Sequence, residues 1–157
     1  MGGNHTVMKT YAFVSNLHTL LESKLSQRLE RIGAYLSNKG YILWTRGDSS
    51  AEQIINTAHE DKVNLPKGEN HFPFKDSVLD VGCNIYEGIE KMIGIEISNR
   101  LRHVALVEGR DFLIYLCDNE QDEDIRACLL AAKAFGVPTY DLSNQQQEIA
   151  NLLKSIQ

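Results

Sequence analysis

Apolar and polar positions along the chain alternate between two regimes: short continuous apolar runs and longer stretches with helical spacing. Thr10-Tyr11-Ala12-Phe13-Val14 is a β-rich run ended by the turn-prone pair Ser15-Asn16. From Thr19 to Asn38, Leu20, Leu21, Leu25, Leu29, Ile32 and Leu36 recur at three- and four-residue steps. Glu22, Lys24, Arg28, Glu30 and Arg31 fall on the opposite side, which predicts an amphipathic helix. Asn38-Lys39-Gly40 is its stop, and Tyr41-Ile42-Leu43-Trp44 predicts a second buried strand. Ser49 to Glu60 predicts a helix capped by Asp48 or Ser49.

Asp61 to Asp76 contains Pro66 and Pro73 and is expected to be irregular, and Ser77 to Arg100 is expected to be mainly helical, interrupted by glycines. Phe112 to Cys117 is a continuous apolar run, as in a strand covered on both faces. Asp118 to Asp124 reads as an acidic loop, Ile125 to Phe135 as a helix closed by Gly136, Val137 to Leu142 as a strand, and Glu148 to Ile156 as a last amphipathic helix. Strand and helix in regular alternation predict an α/β fold: a Rossmann-like three-layer arrangement with a mainly parallel sheet flanked by helices. The 157 residues are expected to form a single domain, with residues 1–8 as a flexible lead. In such sheets ligands bind at the carboxyl ends of the strands, which directs attention to Ser15-Asn16, Thr45 to Ser50 and Asp118 to Ile125.

Composition narrows the function classes. A net charge of -5 argues against a general nucleic-acid binder, which needs a basic surface to displace counterions from phosphates. No apolar run approaches the roughly 18 residues that span a bilayer, and the first residues lack the basic and apolar blocks of a signal peptide. Cys83, Cys117 and Cys128 show no CxxC spacing, which suits a reducing compartment. A cytoplasmic protein is expected.

The chemistry concentrates in Thr45-Arg46-Gly47-Asp48-Ser49-Ser50-Ala51-Glu52. A helix N-terminus offers backbone N–H groups and partial positive charge to an anion. Gly47 would let the backbone approach closely, Ser49 and Ser50 add hydroxyls, and Arg46 adds a guanidinium suited to phosphate or carboxylate. Local composition by itself is satisfied by an ordinary strand-to-helix turn, with Glu52 complementing the helix dipole.

The run Lys9 to Asn16, a helix, and then Lys39 to Gln53 resembles the small, often phage-encoded relatives of DNA-processing protein A and the Lonely-guy (lysine-decarboxylase-like) proteins. In that superfamily the first strand leads into Gly-Ser-Arg and the second into Ser-Gly-Gly-Ala-x-Gly-Ala-Asp. Arg102-His103-Val104, Gly109, the strand Asp111 to Cys117 and Ala134 to Leu142 follow the same order and spacing. The resemblance covers about four-fifths of the chain and implies a Rossmann-like nucleotide-binding fold, a tendency to form dimers through long helices, and a phage origin.

The glycines of that superfamily are largely replaced. Val14-Ser15-Asn16 stands in place of Gly-Ser-Arg, Arg46 in place of one of the tandem glycines, Ser50 in place of the next, and Glu52 in place of aspartate. The Gly-Gly-Thr that donates amides to a nucleotide phosphate aligns with Glu123-Asp124-Ile125, whose carboxylates repel such a group. The Lonely-guy enzymes cleave nucleotide 5′-monophosphates with an arginine and a glutamate beside Pro-Gly-Gly-x-Gly-Thr-x-x-Glu, a motif this chain lacks. Glu52 is the one candidate general acid, with no identifiable partner. DNA-processing protein A holds single-stranded DNA in basic pockets, and this chain shows no basic stripe.

His71, His103 and Cys83 are dispersed and imply no metal site. Cys117 and Cys128 read as core residues, and the acidic run 118–124 as a solvated loop without calcium-loop spacing. Trp44 reads either as a base-stacking platform or as core, and Arg100, Arg102 and Arg110 either line the site or sit on the surface. The expected function is binding or sensing of a nucleotide-type small molecule without catalysis, through Ser15, Asn16, Thr45, Arg46, Gly47, Ser49, Ser50 and Glu52. No cofactor, metal or membrane is implied. Two alternatives remain: a degenerate scaffold working through protein contacts or homo-oligomerisation, and a nucleoside monophosphate N-glycosidase.

Overall fold

The computed structural model describes residues 9–17, 23–47, 49–63, 78–80, 95–117, 122–142 and 154. The expected helix 148–156 lies outside them apart from Lys154, as do Asp48, Cys83, His71 and residues 118–121. In chain order the elements are β1 (Thr10–Ser15), α1 (Ser23–Asn38), β2 (Ile42–Thr45), α2 (Ser50–Val63), β3 (Val78–Asp80), α3 (Ile95–Val107), β4 (Phe112–Leu116), α4 (Glu123–Phe135) and β5 (Thr139–Asp141).

The five strands form one parallel sheet in the order β3-β2-β1-β4-β5. The chain first steps outward from β1 through β2 to β3, then returns to place β4 on the other side of β1. That reversal between β1 and β4 is the switch point at whose carboxyl ends ligands settle in open α/β sheets.

Period-two alternation along the strands supplies two cores. Tyr11, Phe13, Leu43, Phe112, Ile114 and Leu116 point to the side covered by α1 and α2, against Leu29, Ile32, Leu36 and Ile55. Ala12, Val14 and Leu113 point to the other side, against Leu106 and Val107 of α3 and Ile125, Cys128 and Ala132 of α4. All six residues of β1 are buried, which is why its sequence reads as a run rather than as an alternation. On the first face α1 and α2 approach closely at Gly33. A Cβ there would lie 2.8 Å from the Ile55 carbonyl oxygen and 3.2 Å from the His59 nitrogen.

Two expectations are corrected. The stretch Ser77 to Arg100, expected to be mainly helical, contains a strand among its described residues, while 77 and 81–94 lie outside them. Val78–Asp80 is an edge strand in register with β2, Leu43 opposite Val78 and Thr45 opposite Asp80, and the helix that follows runs past Arg100 to Val107. A three-residue strand carries too little pattern to be read locally, and its pairing to β2 decides its conformation. The acidic stretch also does not remain a loop through Asp124. Asp122 is the N-cap of α4, its Oδ1 accepting from Ile125 N at 3.0 Å, while Glu123 and Asp124 form the first turn. There their charge complements the helix dipole. Gly136 closes α4 in the left-handed conformation, as its position after Phe135 predicts.

Candidate functional site

Three of the elements that end or begin at the carboxyl edge converge on Arg46. Arg46 follows β2 directly, and its side chain turns inward rather than out to solvent, leaving the residue 4% exposed. Nε donates to both carboxylate oxygens of Glu52 (3.1 and 3.3 Å), and Nη2 donates to Glu52 Oε1 at 3.0 Å and to the Ser15 carbonyl at 2.7 Å. Nη1 donates to Asp124 Oδ2 at 3.0 Å and points to His103 Nε2 at 3.4 Å. Every N–H of the guanidinium therefore has a protein acceptor. The fork ties the end of β1, the first turn of α2, the buried His103 of α3 and the first turn of α4 into one unit.

The partners of Arg46 differ in access. Glu52 is fully buried, whereas the Asp124 side chain is half exposed. A buried pair is maintained by its hydrogen bonds, and loss of one partner strands the other charge. A pair with one member in water contributes far less. Asp124 is thus the partner most easily given up.

The N-terminus of α2 is equally occupied. Ser49 caps it: its Oγ accepts from Glu52 N at 3.1 Å and donates to Glu52 Oε1 at 2.8 Å. Ser-x-x-Glu is the capping-box spacing, here with the glutamate also holding Arg46. Ser50 N and Ala51 N donate to the Leu17 carbonyl at 3.0 and 3.4 Å. The backbone donors that an anion cradle would require are accordingly bonded within the protein, because the chain leaving β1 crosses directly over the helix end.

Of the eight residues singled out from the sequence, the structure brings all to this edge. Ser15, Thr45, Ser49 and Glu52 are buried, and Asn16, Gly47 and Ser50 are partly exposed. Gly47 adopts φ +67, with its N–H donating to Thr45 Oγ1 at 3.0 Å, so this glycine is required by backbone shape. Asn16 Nδ2 reaches Asp122 Oδ2 at 3.4 Å, linking the end of β1 to the cap of α4. A general acid must reach its substrate, and Glu52 has no exposed surface and holds Arg46 and Ser49 instead.

His103 and Asp124 belong to the cluster but were not singled out as site residues. They stand 57 and 78 positions from Arg46; Asp124 was marked by its place in the loop Asp118 to Ile125 and by its misfit with a phosphate cradle. Trp44 lies half-buried against the α3–α4 side, with the Arg110 guanidinium 3.5 Å above its ring. That stacking accounts for both residues away from the Arg46 cluster. Cys128 is core, and burial pushes its thiol up to about 12. Among the described residues no group of three or more His, Cys, Asp or Glu is placed to hold a metal ion, and no helix is long and apolar enough to cross a membrane.

No protein-family model matches the chain, and no curated protein matches it. Solved structures do. The molybdenum cofactor carrier protein of Chlamydomonas reinhardtii superposes with TM-score 0.57 at 9% identity, covering 95% of this chain and 96% of that one. The structural-genomics target TM1055 gives 0.56 at 16% identity, over 88% of this chain and 80% of its own. DNA processing protein A from Helicobacter pylori, described with a single-stranded DNA binding mode, gives 0.54 at 13% identity, over 94% and 72%. The chain shares their fold. The Rossmann-like architecture and the likeness to DNA-processing protein A expected from the strand-end motifs are both present.

Proposed function

We propose that this protein binds a nucleotide-type small molecule at the carboxyl edge of β1, β2 and β4, without turning it over. The observation that carries this reading is the convergence, at the reversal of strand order, of the loops after β1 and β2 with the first turn of α4 around Arg46. Ligands of α/β sheets settle at that reversal. Two proteins of the same fold are described with a molybdenum cofactor or single-stranded DNA, and both of those ligands contain phosphate and rings. Asn16, Gly47 and Ser50 supply the accessible surface of the site. Ser15, Thr45, Ser49 and Glu52 hold Arg46 and the loop backbone in place behind it. Titration with nucleoside monophosphates, cyclic dinucleotides and ADP-ribose, read by calorimetry and thermal shift, tests the reading. Heat and stabilisation with at least one ligand are expected, and silence across the panel overturns it.

A second reading, a scaffold acting through contacts with protein or with its own copies, is favoured by a different observation. Leu130 and Phe135 on α4 and Leu101 on α3 are 65%, 47% and 43% exposed, on the helical layer away from α1 and α2. Large apolar side chains facing water mark association surfaces when they cluster. A mass in solution above that of one chain, reduced to one chain by Leu130→Glu, supports this reading. A single-chain mass at every concentration removes self-association from it.

A further inference from the structure

We infer that Asp124 is a built-in competitor for the anionic group of the ligand: it occupies Arg46 in the empty site and is displaced when a phosphate-bearing nucleoside binds. The inference rests on the nucleotide-binding reading above and specifies how that site is controlled.

Arg46 is the cation at the centre of the cluster, and all its N–H groups are engaged. An incoming oxyanion can bond to it only by replacing an existing acceptor. The Ser15 carbonyl is fixed in the β1 backbone, and β1 is buried along its whole length. Glu52 is fully buried and is held additionally by Ser49, so displacing it would strand a carboxylate in the core. His103 is 2% exposed and lies at the long distance of 3.4 Å. Among these acceptors Asp124 combines a direct charged bond, at 3.0 Å, with a half-exposed side chain that can move into water. Rotation of one side chain in the first turn of α4 would free Nη1 on the side where Asp124 meets water, while the rest of the fork stays clamped. A phosphate oxygen in its place restores the charge balance that Asp124 provides, because one anion replaces another on the same donor. The carboxylates of Asp122 and Glu123 stay nearby, which keeps the affinity of the resting protein low.

Adenosine 5′-monophosphate and adenosine serve as probes, titrated calorimetrically into the wild-type chain, Asp124→Asn, Asp124→Ala and Glu123→Gln. Glu123 is the exposed neighbour, so its variant reproduces the charge change without freeing Arg46. Removal of the Asp124 charge is expected to tighten the monophosphate by about tenfold, with adenosine changed less than about twofold and Glu123→Gln close to wild type. Equal monophosphate affinity in wild type and both Asp124 variants overturns the competitor role while leaving the binding site standing. So does an equal gain for adenosine or in Glu123→Gln. Absence of binding by either probe to all four proteins overturns the competitor role together with the adenine-nucleotide form of the reading beneath it. Circular dichroism of the two Asp124 variants establishes that each is folded, and either one suffices for the comparison.

Discussion

Glu52 grips Arg46 through both carboxylate oxygens, at 3.0 to 3.3 Å, with neither side chain open to water. An open helix N-terminus at such a strand end would suit a phosphate. Here the strand end carries an arginine, and the space is organised by an ion pair.

The pair predicts an asymmetric mutational response. Glu52→Ala leaves Arg46 buried with its main counter-charge gone and is expected to cost about 3–5 kcal/mol in urea unfolding. Asp124→Asn removes the half-exposed partner of the same guanidinium and is expected to cost under about 1 kcal/mol. Similar costs for the two variants would contradict the division between a fixed and a releasable partner.

Gly33 predicts a second effect, on packing between α1 and α2. Alanine is the better helix former, by about 1 kcal/mol. Its Cβ, however, would meet the Ile55 carbonyl at 2.8 Å and the His59 nitrogen at 3.2 Å, and neither backbone atom yields easily. Gly33→Ala is expected to lower stability by about 1–3 kcal/mol, seen as a lower denaturation midpoint. A midpoint equal to or above that of wild type would show that the helices separate without strain.

His59 predicts a pH dependence. Its Nε2 lies 3.0 Å from the Tyr41 carbonyl, which can only accept, so Nε2 carries the proton and Nδ1 accepts from the Tyr11 hydroxyl at 2.8 Å. Burial lowers its pKa to about 4, against an ordinary value of 6.5. The unfolded chain therefore takes up this proton first. The contribution of neutral His59 is complete above pH 6.5, declines as pH falls, and stops declining near pH 4, where the folded form also protonates. A loss of about 3 kcal/mol across that window follows from this group. Stability measured between pH 7 and 4 should show that slope, and His59→Gln should reduce it. An unchanged slope in the variant assigns the acid sensitivity to other groups.

Asp122 predicts a local effect at α4. Asp122→Ala removes the acceptor of the Ile125 N–H and one hydrogen bond of Asn16, and should cost about 1 kcal/mol. Amide exchange at Ile125 reports it directly: faster exchange is expected in the variant, and unchanged exchange would mean that another group caps the helix.

Much of this architecture was legible in the chain itself, for identifiable reasons. β1 and β4 are buried on both faces, so they appear as continuous apolar runs, and α1 carries its buried leucines and isoleucine at helical spacing. Gly40 and Gly136 mark helix ends by the left-handed conformation they adopt. β3 was not legible, because three residues become a strand only through register with β2. For the site, the loop from Thr45 to Glu52 could be located from its strand-to-helix position. The orientation of Arg46 could not, since it is set by Ser15, His103 and Asp124 from three other parts of the chain. Nor did local sequence reveal that the Leu17 carbonyl takes the first N–H groups of α2.

Ligand is proposed to meet the protein at the reversal between β1 and β4. Amide chemical-shift mapping during titration with adenosine 5′-monophosphate tests it most directly. Shifts are expected to concentrate at Asn16, Gly47, Ser50 and Asp124, with Leu130 and Phe135 unmoved. Shifts centred on the outer surface of α4, or none anywhere at saturating nucleotide, would contradict it.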